Sequence, residues 1–210
     1  KAYRPETNSI SSGQVLQCPY EFEKGKLIVR EMTDLLVLDL VEKHLVTDQM
    51  VLTIGYDIDN LSDPARRSAY HGEVTTDRYG RKVPKHGHGI IHLADFTSSS
   101  AEIIEAAMTL YDRITSPALL IRRLNLSAHH VIPQVKKEET YEQLSLFSDP
   151  SKEEAEKIQK EASRERERRL QTAMLVIKDR YGKNAILRGT DLEDGATTME
   201  RNNQIGGHKA

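Results

Sequence analysis

The chain has 210 residues, 38% hydrophobic and 30% charged, with a formal net charge of -2. That composition suits one modest globular core with polar appendages rather than two full domains. One cysteine, Cys18, excludes an internal disulfide framework and a multi-cysteine zinc site, while the lack of a long apolar run or a signal-peptide pattern argues against a membrane span or secretion and for a cytoplasmic location.

Residues 1–8 open with Lys1-Ala2-Tyr3-Arg4-Pro5, an extended connector in which Pro5 turns its predecessor away from helix. A further segment is expected upstream. Residues 9–16 are β-compatible and carry Gly13, as an edge strand with a bulge does. Ile28, Met32, Leu35, Leu38, Val41 and Leu45 then recur at spacings of three or four, which predicts one amphipathic helix. Residues 50–58 alternate, with Leu52, Ile54 and Tyr56 on one side and Thr53, Gly55 and Asp57 on the other, and read as a second strand.

A basic loop follows. Between Arg66 and His88, six cationic residues (Arg66, Arg67, Arg78, Arg81, Lys82 and Lys85) face only Glu73 and Asp77, whereas residues 21–48 hold seven acidic residues against four basic. The near-neutral total therefore conceals a segregation that gives one region a positive field suited to phosphates. A third strand is predicted over residues 85–96, with His86, His88, Ile90 and His92 on one face and Gly87, Gly89, Ile91 and Leu93 on the other. Ser99 to Glu102 forms a capping box that opens a helix with Ile103, Ala107, Leu110 and Ile114 inward, ended by Pro117. Residues 119–131 give a fourth strand in which Leu120, Leu124 and Leu126 alternate with Arg123, Asn125 and Ser127.

The predicted order β-α-β-β-α-β is a split βαβ arrangement: an α+β fold with a four-stranded sheet carrying two helices on one face. The other face, with Arg123, Asn125, Thr53, His86, His88 and His92, is too polar for a second core and should meet water or a polar partner. The folded domain is assigned to residues 9–134, a linker to 135–150, a charged helix with its own capping box to 151–181, and a glycine- and asparagine-containing tail to 182–210. In that helix Leu170, Ala173, Met174, Ile177 and Tyr181 make a short apolar stripe that must pack on something.

Within the linker, Gln143-Leu144-Ser145-Leu146-Phe147 has apolar residues that serve no helix or strand. A glutamine, an aliphatic anchor and a closing Leu-Phe pair suit an extended peptide that fills an apolar pocket on a partner, and the segment resembles the pentapeptide with which bacterial proteins bind the sliding clamp. The alternative is a strap folded back on its own domain. Asp57-Ile58-Asp59 is read as a strand-end turn rather than a magnesium pair, since no phosphate-binding loop accompanies it. The histidines at 86, 88, 92, 129 and 130 lack a completing carboxylate or thiolate at recognisable spacing, so no metal is assigned. Ser11-Ser12-Gly13 and the glycines at 87 and 89 are small enough to admit a phosphate to backbone N–H groups.

Long phrases of the chain, among them Ser9-Ile10-Ser11-Ser12-Gly13-Gln14-Val15-Leu16, Asp77-Arg78-Tyr79-Gly80-Arg81, Phe96-Thr97-Ser98-Ser99 and Leu119-Leu120-Ile121-Arg122-Arg123-Leu124, resemble the C-terminal part of bacterial Y-family translesion DNA polymerases of the UmuC-like branch. The resemblance implies a little-finger domain that grips primer-template DNA through Ser11, Ser12, Gly13, Lys85, His86, Arg122 and Arg123, to which the charge pattern adds Arg66, Arg67, Arg78, Arg81 and Lys82. Asn125 stands where that family often has glycine. The resemblance further implies a palm preceding Lys1, whose Mg2+-dependent nucleotidyl transfer this chain would not itself perform, together with a sliding clamp and SOS accessory subunits as partners. No catalytic residue and no cofactor is assigned to these 210 residues. A non-enzymatic regulator that binds clamp or polymerase is the alternative, and an RNA-binding domain is disfavoured by the absence of paired exposed aromatics on the sheet.

Overall fold

The computed structural model describes residues 8–134, 150–205 and 208–209, with side chains for residues 8–134 and 158–203. Strands β1 (Ile10–Tyr20), β2 (Leu45–Tyr56), β5 (Gly87–Thr97) and β6 (Ile121–His129) form an antiparallel sheet in the order β1-β6-β2-β5, and the two-residue β7 (Ile132–Pro133) pairs with the start of β2. Helix α1 (Phe22–Glu42) connects β1 to β2, which run parallel with β6 between them; helix α4 (Ser100–Ile114) connects β5 to β6 around β2. Both connections are thus split βαβ units, and the α+β expectation holds.

The short elements occupy the β2–β5 connection. Helices α2 (Asp59–Ser62) and α3 (Pro64–Ala69) are followed by a hairpin of β3 (Val74–Thr76) and β4 (Lys82–Pro84). What the charge pattern suggested was one basic loop is therefore largely ordered backbone.

Alternation in the central strands places Met50, Leu52, Ile54, Leu124, Leu126 and Ala128 on one side, fully or nearly fully buried under α1 and α4. Helix α1 contributes Ile28, Val29, Met32, Leu36, Val37 and Leu40 to this core. Two residues of the anticipated stripe fall elsewhere: Leu35 is only half-buried on the flank of the helix, and Leu45, beyond the helix end at Glu42, opens β2. Tyr111 of α4 reaches across to α1, where its hydroxyl donates to the Phe22 carbonyl (2.7 Å) and its ring lies 5.0 Å from that of Phe22.

Leu120 does not take part in the alternation. Its N–H donates to Asn60 Oδ1 (2.8 Å) and its carbonyl accepts from Asn60 Nδ2 (2.9 Å) and from the Asp57 N–H (2.8 Å), so the fully buried Asn60 satisfies the strand entry. Ile121 is the core residue instead. Register then shifts: Tyr56 faces Ile121 while Gly55 faces Arg123, leaving Arg122 as an extra residue on β6. Such a bulge re-aims side chains, and here it lets both Ile121 and Leu124 point inward at a spacing of three. The strand is regular at Asn125, which pairs with Gly13 and Thr53.

Helix α5 (Pro150–Tyr181) lies against the start of α4 and the outer side of α1. Gln171 is buried and donates to the Ser98 carbonyl (3.1 Å) and Ser100 Oγ (3.0 Å); Met174, about one turn further along the helix, is also buried. The capping box forms only by half. Ser99 Oγ accepts from the Glu102 N–H (3.4 Å), but the Glu102 carboxylate turns outward to receive Arg164 Nε (2.6 Å) and Nη2 (2.7 Å). Glu167 takes over at the helix start, accepting from the Ala101 N–H (3.0 Å) and Ser99 Oγ (2.5 Å). A tertiary carboxylate thus meets the orphan donors and positive dipole end that a local one was expected to meet.

Beyond α5, a 3-10 turn (Gly189–Leu192) and helix α6 (Thr198–Asn202) lie along α1, while the backbone continues into β8 (Gln204–Ile205) and β9 (His208–Lys209). The tail is docked through buried acids of α1. Glu31, 2% exposed, accepts from the N–H groups of Thr197 (2.9 Å) and Thr198 (3.1 Å), and Asp34 receives Arg188 Nε (2.8 Å). Burial pushes the Asp34 carboxyl above its ordinary range, and Arg188 opposes that rise.

The Arg164 guanidinium holds the Glu102 carboxyl below its ordinary value. A carboxyl lowered in the folded state contributes stability above its unfolded pKa, near 4.3, and loses that contribution as pH falls through the lowered folded value. Glu102→Gln should therefore cost about 1–2 kcal/mol at pH 7 and clearly less near pH 3, measured as the gap between wild-type and variant urea-unfolding free energies at the two pH values.

Candidate nucleic-acid interface

The side of the sheet away from α1 and α4 is uncovered among the described residues, and the pairing register sets its side chains in rows. Ser11, Ser127, Val51 and Ile90 form one row; Gly13, Asn125, Thr53 and His88 the next; Val15, Arg123 and Gly55 a third. Gln49 lies between His129 and His92 at the other end. No carboxylate occurs in these rows. Thr53 Oγ1 contacts His88 Nδ1 at 2.9 Å, and Gln49 Nε2 lies 3.4 Å from His92 Nε2, so polar groups are tied across the strands while their outer surfaces stay exposed.

Beyond the Gly55 end, the β3–β4 hairpin and the bulged part of β6 enclose an open cleft of about 550 Å³ whose walls include Arg78, Arg81, His86, Arg122, Arg123 and Asp57. Asp77 organises the hairpin tip. Its Oδ1 accepts from the N–H groups of Tyr79 (2.8 Å) and Arg81 (3.0 Å), its Oδ2 receives Arg81 Nε (2.9 Å) and Nη2 (2.7 Å), and the Arg81 contact holds its carboxyl below the ordinary range. Gly80 completes the turn with φ +79°, a conformation open to glycine at little cost. Arg122, the bulged residue, donates from Nη1 to the Gln17 carbonyl (2.9 Å) and keeps Nε 3.7 Å from Asp57 Oδ2.

The residues singled out from the sequence fall into three groups. Ser11, Gly13 and Arg123 share the open face, and Arg78, Arg81, His86 and Arg122 join Arg123 around the cleft. Arg66 and Arg67 are carried on α3, where Asp63 Oδ1 accepts from the Arg66 N–H, while Lys82 begins β4 and the Lys85 ammonium is paired with Glu73 (2.7 Å). Ser12 lies on the opposite side of β1, in register with the buried Leu126 and Leu52, and its Oγ accepts from Arg201 Nη2 (3.3 Å). Its neighbours can face a strand of nucleic acid, but its own side chain belongs to the helix-covered side, as strand alternation requires.

Gly87 and Gly89 also need correction. A Cβ on Gly87 would stand 2.6 Å from the Ile114 carbonyl oxygen, and one on Gly89 2.7 Å from Ile114 Cγ2. They are the floor on which α4 lies rather than openings for a phosphate. Sequence reasoning also passed over Tyr79 and Gln49 as site residues; the Asp-x-x-Gly turn signature of Asp77 to Gly80 was the available signal that Tyr79 sits at an exposed tip. The peptide Gln143, Leu144, Ser145, Leu146, Phe147 lies outside the described residues. Among the described residues no group of three or more His, Cys, Asp or Glu side chains is placed to hold a metal ion, and no helix is long and apolar enough to cross a membrane.

A family profile, the impB/mucB/samB family C-terminal domain, matches residues 7–146. No curated protein matches the chain. Among solved structures the chain is similar to one from the complex of beta-clamp processivity factor and little finger domain of PolIV, at 10% identity and a TM-score of 0.34, over 67% of this chain and 99% of that one.

If the glycines serve packing, Gly87→Ala should lower stability by about 1–3 kcal/mol in urea unfolding, while the folded fraction keeps its affinity for a duplex oligonucleotide. A variant of undiminished stability with weakened binding would return Gly87 to the interface.

Proposed function

Because the chain belongs to the impB/mucB/samB family by its C-terminal domain, we propose that it is the DNA-grip and clamp-tethering portion of an error-prone Y-family DNA polymerase acting in translesion synthesis. The observation that carries this reading is the bare sheet face whose rows hold Arg123, Asn125, Thr53 and the histidines His88, His92 and His129 without a carboxylate, with His86 in the adjoining cleft. Phosphate contacts position a protein on a duplex through cations, small polar side chains and exposed strand backbone, and this face offers all three. The buried acids Glu31 and Asp34 lie instead on α1, where the tail occupies them.

In this reading the chain contributes binding and leaves nucleotide addition to a palm, fingers and thumb elsewhere in the parent. Mg2+ would be held by the palm carboxylates, and the SOS accessory subunits and cytoplasmic setting would be those of the parent. The sliding clamp is the partner proposed for residues 143–147. Gln143 supplies an amide for polar groups at a pocket rim, and Leu144, Leu146 and Phe147 supply the anchors.

Two experiments separate the two roles. Leu146→Ala combined with Phe147→Ala should reduce binding to a bacterial sliding clamp by at least a hundredfold in a surface-capture titration while duplex affinity is unchanged; clamp binding that survives would remove the tethering role. Replacing Arg122 and Arg123 by alanine should weaken duplex binding and lower the slope of log Kobs against log salt by roughly one unit per lost phosphate contact. An unaltered slope would take both arginines out of the footprint.

A further inference from the structure

Tyr79 stands at the tip of the β3–β4 hairpin, 59% exposed, yet three guanidinium groups surround its ring. The Cζ atoms of Arg78, Arg81 and Arg123 lie 4.8, 5.1 and 5.9 Å from the ring centroid. Arg78 and Arg81 belong to the turn itself, whereas Arg123 rises from β6 on the open face, so the ring joins the hairpin tip to the sheet. Gly55 makes room for that arm: a Cβ there would stand 3.0 Å from Arg123 Cβ.

The partners of these cations differ in kind. Arg81 is neutralised by Asp77 through two hydrogen bonds. Arg78 donates to Tyr79 Oη (2.9 Å), and among the described residues neither Arg78 nor Arg123 has a carboxylate within ion-pairing distance. An aromatic face attracts a cation through its quadrupole but carries no net charge. The ring therefore holds two guanidiniums together without cancelling them. The nearby acids are committed elsewhere, Asp77 to the turn, Asp57 to the Asp59 N–H and Arg122, and Asp59 to Ser62.

Two un-neutralised guanidiniums held beside a cleft, one on a rigid turn and one on the sheet, match the forked donors that an anionic phosphodiester accepts. We propose that Tyr79, Arg78 and Arg123 form a preorganised seat for one backbone phosphate of a DNA strand crossing the end of the sheet, with Tyr79 as the positioning residue. The hairpin is then an arm of the grip. This assignment rests on the DNA-grip reading and adds to it a specific subsite and an uncharged residue on which that subsite depends.

The test is the salt dependence of duplex binding by the full chain, measured by fluorescence anisotropy on a labelled oligonucleotide. Tyr79→Ala removes no charge, yet it should lower the slope of log Kobs against log salt by about one unit. Tyr79→Phe keeps the ring and should retain the slope. Adding Arg123→Ala to Tyr79→Ala should cost no further slope, whereas in the unaltered chain it costs about one unit. A Tyr79→Ala slope equal to wild type, or an equal loss in Tyr79→Phe, would overturn the seat. Failure of the unaltered chain to bind duplex in a salt-dependent way would instead overturn the DNA-grip reading on which it rests.

Discussion

The two-residue alternation of β2 and β6, the central strands, constrains everything else in this molecule. Apart from Val51, their apolar residues face α1 and α4, so these two strands can have only one dry side. The helices must close on that side, and α4 reaches β5 because Gly87 and Gly89 present nothing for it to strike. The opposite side is left to Thr53, Gly55, Asn125, Ser127 and their neighbours, which need water or a polar partner. One pattern thus makes both the core and the interface.

The end of the sheet where the alternation fails is also where the charged groups gather. The Arg122 bulge keeps Ile121 in the core and turns one arginine toward the Gln17 carbonyl, while Arg123 remains in the open-face rows. Because the same bulge borders the cleft under the hairpin, a packing irregularity fixes the spacing of the cationic groups there. The carboxylate of Asp77 does comparable work at the tip: by taking two turn amides and Arg81 it makes the hairpin a defined support rather than a loose basic loop.

Residues beyond the family-matched span are part of the same body. Glu31 and Asp34 would leave buried carboxylates on α1 without donors were it not for Thr197, Thr198 and Arg188, and the first turn of α4 relies on Glu167 of α5 for its cap. A buried charge is tolerable only where hydrogen bonds replace its hydration. Two acids of α1 thereby become an internal docking surface for the tail, on the side of the sheet away from the open face.

Much of this was legible in the sequence. Strand and helix periodicity gave the β-α-β-β-α-β order, the exposed row of histidines with Arg123 and Asn125, and the concentration of positive charge between β2 and β5, since each depends on neighbours within a few residues. The split between Ser11 and Ser12 also followed from alternation, but a three-residue motif obscured it. Other features arise from contacts between residues far apart in the chain: the β1-β6-β2-β5 order, the use of Asn60 to satisfy Leu120, the service of Gly87 and Gly89 to Ile114, and the gathering of Arg78, Arg81 and Arg123 around Tyr79. Periodicity reports which side of an element is apolar. It carries no information about which distant backbone or side chain will meet the other side, and that only the packed tertiary structure decided.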